Sequence, residues 1–234
     1  MTTKRLFTIL LCNIFGILLF LSWYLPEHHG IWFSLDKSVF YWFNDRLATN
    51  KALLWFVAIT NFRAFDGAAL LAMGMLYLTL WRQASQQGRR RLLATGITML
   101  ITAVMLNQLG RLLPVSHPSP TRFFPHVNHV AQLTGIPTKD ASADSFPGDH
   151  GMMLLIFACF MLRYASYRAF AWAVLIVLVF ATPRVMIGAH WLTDIVVGSL
   201  SVVLVGMSWW LLTPASDMVI NWFDRYLPKK QLKR

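Results

Sequence analysis

Charge is scarce in this chain. Only 13% of its 234 residues are Asp, Glu, Lys or Arg, where an ordinary soluble domain carries roughly 25%. Hydrophobic residues make up 56%, and the mean hydropathy is +0.52. A soluble core does not need charge-free runs long enough to cross a bilayer, which takes about 20 residues per helix. Leu6–Leu25, Leu92–Gly110 and Ile195–Ser216 are such runs. Cysteine is nearly absent: Cys12 and Cys159 both lie inside apolar segments, which excludes a disulfide framework and gives no thiolate set for a metal. Neither a metal site nor a cofactor is expected. Internal repeats and low-complexity stretches are also missing. The opening Met-Thr-Thr-Lys-Arg precedes an apolar stretch too long for a signal peptide, with no small-residue cleavage site before Pro26, so a retained first helix is expected.

What is present organises around those runs. Weaker apolar segments at Phe62–Trp81, Gly151–Leu162 and Ala169–Pro183 raise the candidate spans to six. The expected fold is all-α: one polytopic membrane domain over residues 1–234, with spans near 6–25, 62–81, 92–110, 147–163, 168–184 and 192–213. Trp32–Leu47 alternates aromatic and charged residues at helical spacing. It reads as a helix lying in the interface, an extramembrane segment, with an ordinary loop as the alternative.

The basic residues are unevenly shared between the two sides of this arrangement. Lys4, Arg5, Arg82, Arg89, Arg90, Arg91, Arg163, Arg168 and the tail residues Arg225, Lys229, Lys230, Lys233 and Arg234 fall on one side, accompanied only by Asp217 and Asp224. That side holds the whole net charge of +11. Lys and Arg concentrate in cytoplasmic loops, so both termini are expected in the cytoplasm. The pI of about 10.2 then reports orientation. A nucleic-acid interface would gather its basic residues on one exposed face with stacking aromatics, and these are dispersed among span ends.

All seven histidines fall on the opposite side. Two of them open apolar runs: His150 in Ser145-Phe-Pro147-Gly148-Asp149-His150-Gly151, and His190 in Arg184-Val-Met-Ile-Gly188-Ala-His190-Trp-Leu-Thr-Asp194. The fourth and fifth runs are too short to cross the hydrocarbon unless Asp149 and His150, or Arg184, are carried to near membrane depth. Ionisable groups placed there need partners and mark function. Asp194 lies four residues beyond His190, within reach of one imidazole nitrogen, which leaves the other free to attack. Arg184 offers a planar fork of donors for phosphate oxygens. Pro147-Gly148, just before a helix, is expected to expose backbone N–H groups to an anion, and His150 on the first turn is placed to protonate a leaving oxygen. A lone His-x-x-x-Asp pair is weak evidence, whereas two such clusters on one face are strong.

The Pro-x-x-His element at Pro147–His150 and the Arg-x5-His-x3-Asp element at Arg184–Asp194 resemble the second and third signature motifs of the type 2 phosphatidic acid phosphatase superfamily. Gly188 and Gly198 match the pattern around the third motif. That resemblance implies a six-helix membrane enzyme working through a phosphohistidine. His190 would then be the nucleophile, Asp194 its orienting carboxylate, His150 the general acid, and Arg184, with Gly148 and Asp149 beside it, part of the phosphate site. The usual second motif is Pro-Ser-Gly-His, and here Asp149 precedes the histidine. The first motif, Lys-x6-Arg-Pro, is missing in its usual form. Arg111 with His117-Pro118, or Lys139, are the candidates to replace its charge.

Further elements narrow the resemblance: Asn61-Phe-Arg63-Ala-Phe-Asp66, Pro-Thr-Lys139-Asp-Ala-Ser, and Pro-Arg184-Val-Met-Ile-Gly-Ala-His190-Trp. They are similar to a branch of Gram-negative inner-membrane phosphotransferases that move a phosphate from undecaprenyl pyrophosphate to the 1-phosphate of lipid A. The implied partners are these two lipids and the membrane. Hydrolysis of undecaprenyl pyrophosphate by the same site is the first alternative, and a transporter or structural membrane protein the second. Arg63 and Asp66, an i, i+3 pair, read equally as an interfacial ion pair or as a grip on the acceptor.

Overall fold

The computed structural model describes residues 2–228; Lys229, Lys230, Lys233 and Arg234 of the basic tail lie outside the described residues. Among these residues every regular element is a helix apart from one isolated β-bridge, Phe62 with Thr138. In chain order they are α1 (Thr3–Tyr24), a single 3₁₀ turn at Glu27–His29, α2 (Ile31–Leu47), α3 (Lys51–Thr60), α4 (Phe65–Gln83) and α5 (Gln86–Gly110). Then come α6 (Pro120–Phe123), α7 (Val130–Thr134), α8 (Asp149–Tyr164), α9 (Tyr167–Met186), a π-helical turn at Asp194–Ser199, α10 (Leu200–Leu212) and α11 (Ala215–Tyr226).

All six segments expected as spans are helical. Four are long and apolar enough to cross a membrane: Thr3–Tyr24, Gln86–Gly110, Tyr167–Met186 and Asp194–Leu212. The other two fall short for visible reasons. α8 has only 16 residues, and α4 carries Asp66 in its first turn and Arg82 in its last. The Trp32–Leu47 segment forms helix α2. α3 was not legible as a span because its apolar run is only 10 residues long; Asn50, which accepts from Leu53 N at 3.0 Å, caps it in the way short polar residues cap helix starts.

The core is built around α8, whose Met152, Leu154, Ile156, Phe157, Phe160 and Met161 are buried among α5, α9 and α10. α1 lies against α10. Asn13 ties the two by donating to Ser208 Oγ at 2.9 Å and accepting from Trp209 Nε1 at 3.0 Å, the kind of polar link that joins helices in an apolar surround. Its other face leaves Phe7, Leu11, Ile14, Phe15 and Leu18 about half exposed or more, as a lipid-facing helix requires. At the far end of the bundle Arg163 pairs with Asp217 at 3.0 Å and Arg90 with Asp224 at 3.5 Å. The two acids sorted with that side of the chain therefore each meet a base sorted with it.

Candidate active site

At the opposite end, the start of α8 and the end of α9 meet the segments 111 and 139–147 around a cavity of about 370 Å³. Its lining includes Arg111, Lys139, Asp144, Ser145, Asp149, His150, Arg184 and His190. The chain between α5 and α8 has little regular structure and is held by backbone bonds together with side chain to backbone bonds. Ser119 N donates to Ser142 O at 3.1 Å, Ser142 N to Ser119 Oγ at 2.8 Å, and Thr121 N to Gly188 O at 3.3 Å. Thr121 Oγ also donates to the Asp140 carbonyl. Residues 117–121 thus fasten the 140–145 segment on one flank and the turn after α9 on the other. Gly188, at φ +81°, makes that turn; a Cβ there would lie 2.6 Å from Phe40 and 2.7 Å from Thr121. At Gly198 a Cβ would lie 2.8 Å from Phe146, so both glycines are required by close approach, and Gly188 by turn geometry as well.

His190 sits in that turn, not on a helix, yet Asp194 still reaches it because the chain folds back: Asp194 N donates to Trp191 O and Trp191 N to Asp194 Oδ2 at 2.9 Å. His190 Nδ1 lies 3.2 Å from Asp194 Oδ2 and 3.0 Å from the Ser145 carbonyl. A carbonyl only accepts, so Nδ1 carries the proton and Nε2 keeps its lone pair. Asp194 has no exposure at all, and the His190 side chain is 13% exposed. The π-turn that starts at Asp194 is a geometry that recurs at functional sites. Ser199 Oγ closes it by donating to Gly148 O at 2.6 Å.

The His150 half is open. Its Nδ1 lies 3.1 Å from Asp149 Oδ1, which also accepts from the His150 backbone N–H at 2.8 Å. Its Nε2 lies 3.4 Å from Asp66 Oδ1, so each ring nitrogen has a carboxylate to donate to. Asp66 also pairs with Arg184, whose other guanidinium nitrogen is 3.5 Å from Asn61 Oδ1. The side chains of His150, Asp149 and Asp66 are 34%, 40% and 46% exposed.

Several sequence expectations change here. Asp66 turns to Arg184 and His150, so of the two readings of Arg63 and Asp66 the ion pair does not form among the described residues. Gly148 does not offer its N–H to the cavity, because that group donates to Asp194 O at 3.0 Å. Asp149 lines the cavity but partners His150 and, at 4.0 Å, Arg111; a carboxylate offers an anionic phosphate no donor. His117 does not stand in for a phosphate-binding arginine. It is buried at 8% exposure, and its Nδ1 meets Asp194 Oδ1 at 3.3 Å, while Pro118 O accepts from Trp191 Nε1 at 2.7 Å. Arg111, Lys139 and Arg184 all line the cavity, which leaves three cations to meet an anion there.

Sequence reasoning missed three contributors. Asn61 braces α9 by donating to Pro183 O at 2.9 Å. Ser145 supplies a backbone carbonyl, which no side-chain motif can signal. Asp36, buried on α2, accepts from Thr193 N at 3.0 Å and from Thr193 Oγ, immediately before Asp194. Burial pushes its carboxyl up to about 6, against the opposing pull of the Thr193 hydrogen bonds.

With this geometry in view, comparison with known proteins is specific. Residues 92–217 match the PAP2 superfamily. Over 228 residues the chain is 58% identical to the lipid A 1-diphosphate synthase of Escherichia coli (strain K12), covering 97% of this chain and 96% of that protein. It is also 27% identical over 171 residues to YbjG of the same strain, provisionally named an undecaprenyl-diphosphatase, covering 72% of this chain and 77% of that one. No solved structure matches significantly.

Proposed function

The chain belongs to the PAP2 superfamily, and from that premise we propose that it is a membrane phosphotransferase that moves a phosphate from undecaprenyl pyrophosphate to the 1-phosphate of lipid A. The observation that carries this reading is His190 Nε2, left with a bare lone pair at a cavity lined by three cations and by His150. The relative named lipid A 1-diphosphate synthase, matched over nearly the full length of both chains, supports lipid A as the acceptor.

In the first step His190 Nε2 attacks the terminal phosphorus of the donor. The bond from that phosphorus to the bridging oxygen breaks, and His150 gives a proton to the departing undecaprenyl phosphate. Asp194 stabilises the cationic ring this creates. Arg184, with Lys139 and Arg111, balances the charge gathering on the transferring phosphoryl oxygens. In the second step an oxygen of the lipid A 1-phosphate attacks the phosphohistidine phosphorus, the P–N bond breaks, and the lone pair returns to Nε2. His150 then takes up any proton the acceptor carries.

The same reading makes α1, α4, α5, α8, α9 and the helix running from the π-turn through α10 the six spans of an inner membrane, with both termini in the cytoplasm and the cavity facing the periplasm. α8, at 16 residues, is about 24 Å long against a hydrocarbon core of about 30 Å. Its charged start therefore sits at the edge of the hydrocarbon, just beneath the lipid phosphates. α2, rich in aromatic residues, lies along that surface. A hydrolase, in which water attacks the phosphohistidine, uses the same residues, and the likeness to YbjG keeps it as the second reading.

The test is to incubate purified protein with undecaprenyl pyrophosphate labelled in its terminal phosphate, with and without lipid A. Label should pass to lipid A, with acid-labile label on His190 in a brief incubation. Release of inorganic phosphate alone, even with lipid A present, would overturn the transferase assignment. Turnover with no label on protein would overturn the covalent mechanism.

A further inference from the structure

Asp194 serves two imidazoles. Its Oδ2 takes His190 Nδ1 at 3.2 Å and Trp191 N at 2.9 Å, and its Oδ1 takes His117 Nδ1 at 3.3 Å. We propose that His117 is a positioning residue for the transfer, holding Asp194 in the orientation that keeps the His190 proton on Nδ1 and its Nε2 free. This rests on the reading of His190 as the nucleophile.

The argument begins with burial. Asp194 is wholly enclosed, and a buried acceptor without a donor is expensive to keep. Without the His117 N–H, Oδ1 loses its partner. The carboxylate then rotates toward another donor or takes up a proton, and either response loosens its hold on His190.

The His117 ring is itself fixed from several sides. It stacks on Trp191 with centroids 5.2 Å apart at 25°, and meets the edges of Trp23 and His29, each at 5.3 Å. Burial holds the His29 imidazole below its ordinary value. His117 is outside the cavity lining, and it therefore acts through Asp194 and not on substrate.

A second link is carried by the backbone. The His117 carbonyl accepts from Ser145 N at 2.8 Å and from Ser145 Oγ at 2.9 Å, and the Ser145 carbonyl is the other acceptor of His190 Nδ1. One residue thus anchors both groups that fix the nucleophile's tautomer, one through its ring and one through its main chain. Side-chain substitution leaves the main-chain link in place and isolates the ring.

Two substitutions separate the donor from the packing. His117→Phe keeps a ring against Trp191 but has no donor; His117→Asn places an amide N–H near the Nδ1 position but gives up the stack. In the wild-type protein, label from undecaprenyl pyrophosphate should appear on His190. If it does not, the functional reading has failed, and that failure is distinct from any difference between variants. Given labelling, His117→Phe should lower kcat and the rate of phosphoenzyme formation together by roughly ten- to a hundredfold, as expected on losing a hydrogen bond to a charged group. KM should stay within about threefold, since no substrate contact is lost. His117→Asn should recover most of kcat even if its melting temperature is the lower of the two. The idea is overturned if His117→Phe keeps wild-type kcat, if KM rises with kcat unchanged, which would make His117 a substrate ligand, or if the Asn variant is no better than Phe. Should the Phe variant not fold, the Asn variant decides: kcat above about a tenth of wild type supports the role, and a deeper loss overturns it.

Discussion

Two His–Asp pairs border one cavity, and they differ most in their access to water. Around His190 the carboxylate of Asp194 is wholly buried and the imidazole only 13% exposed, with Ser145, Trp191 and His117 holding the pair from behind. Around His150 the imidazole and both of its carboxylates are a third to a half exposed. A nucleophile needs one tautomer and one aim, which enclosure provides. A group that gives a proton in one half-reaction and takes one in the other needs exchange with solvent, which openness provides. On the proposed mechanism the same two residue types serve as different tools, and burial is the largest difference between them.

The comparison breaks most sharply at His190. His190→Ala should abolish both turnover and covalent labelling, measured by acid-labile radioactivity on the protein. Asp194→Asn should cost ~10³–10⁴-fold in kcat, because the amide admits the wrong tautomer, as it does in serine-protease triads. If His190→Ala still turns over, the enclosed pair is not the nucleophile and the two halves exchange roles. On the open side His150→Ala should cost ~10²–10⁴-fold with the pyrophosphate donor. An activated phosphate donor with a good leaving group should still label that variant. Equal losses with both donors would mean that His150 does more than protonate.

Smaller effects sharpen the picture of the cations. At least one of Lys139→Ala and Arg111→Ala should lose roughly ten- to a hundredfold in kcat/KM, the scale of one hydrogen bond to a charged group. Lys139 should show the larger loss, since Arg111 is 64% exposed and already leans toward Asp149. Lys139→Arg should retain more activity than Lys139→Ala. Wild-type transfer by both alanine variants would place the missing charge elsewhere, with Arg63 and Arg122 next to test. Asp66→Asn should have a milder effect. Its carboxylate now occupies the guanidinium of Arg184, so the amide should let inorganic phosphate inhibit a few-fold more strongly, and an unchanged inhibition constant would show that Asp66 yields freely to phosphate.

What was legible in the sequence was what is local. Arg184, His190 and Asp194 lie within eleven residues, and Pro147, Asp149 and His150 within four, so spacing alone pointed to them. The helical segments were legible because apolar runs of span length leave little choice of structure. The partners that reach across the fold were hidden. Asp66 meets Arg184 over 118 residues of sequence and His117 meets Asp194 over 77, and no periodicity encodes such pairs. Arg63 stands at ion-pair spacing from Asp66, and that local spacing could not show that Asp66 turns to Arg184 instead. The stretch from Arg111 to Gly148 was the least readable, because residues such as Ser119, Thr121 and Ser142 bind backbone groups that have no sequence signature of their own.

Asp36 makes the seating of α2 a proton-linked equilibrium. In the folded chain its carboxyl is pushed up to about 6 from an ordinary value of 3.8, so between those limits the native state binds more protons than the unfolded one. Stability contributed at this site is therefore fully present below about pH 4 and declines as pH rises to about 6, opposite in sign to a salt-bridged carboxylate. The contact with Thr193 links that protonation to the turn that ends at Asp194. Asp36→Asn, which keeps an acceptor for the Thr193 N–H without a titrating proton, should flatten the dependence of melting temperature on pH across this window in detergent-purified protein. An unaltered slope would place the linkage on another group. Helix α2 would in that case still be joined to the turn before Asp194 through Thr193, without responding to the acidity of the solution.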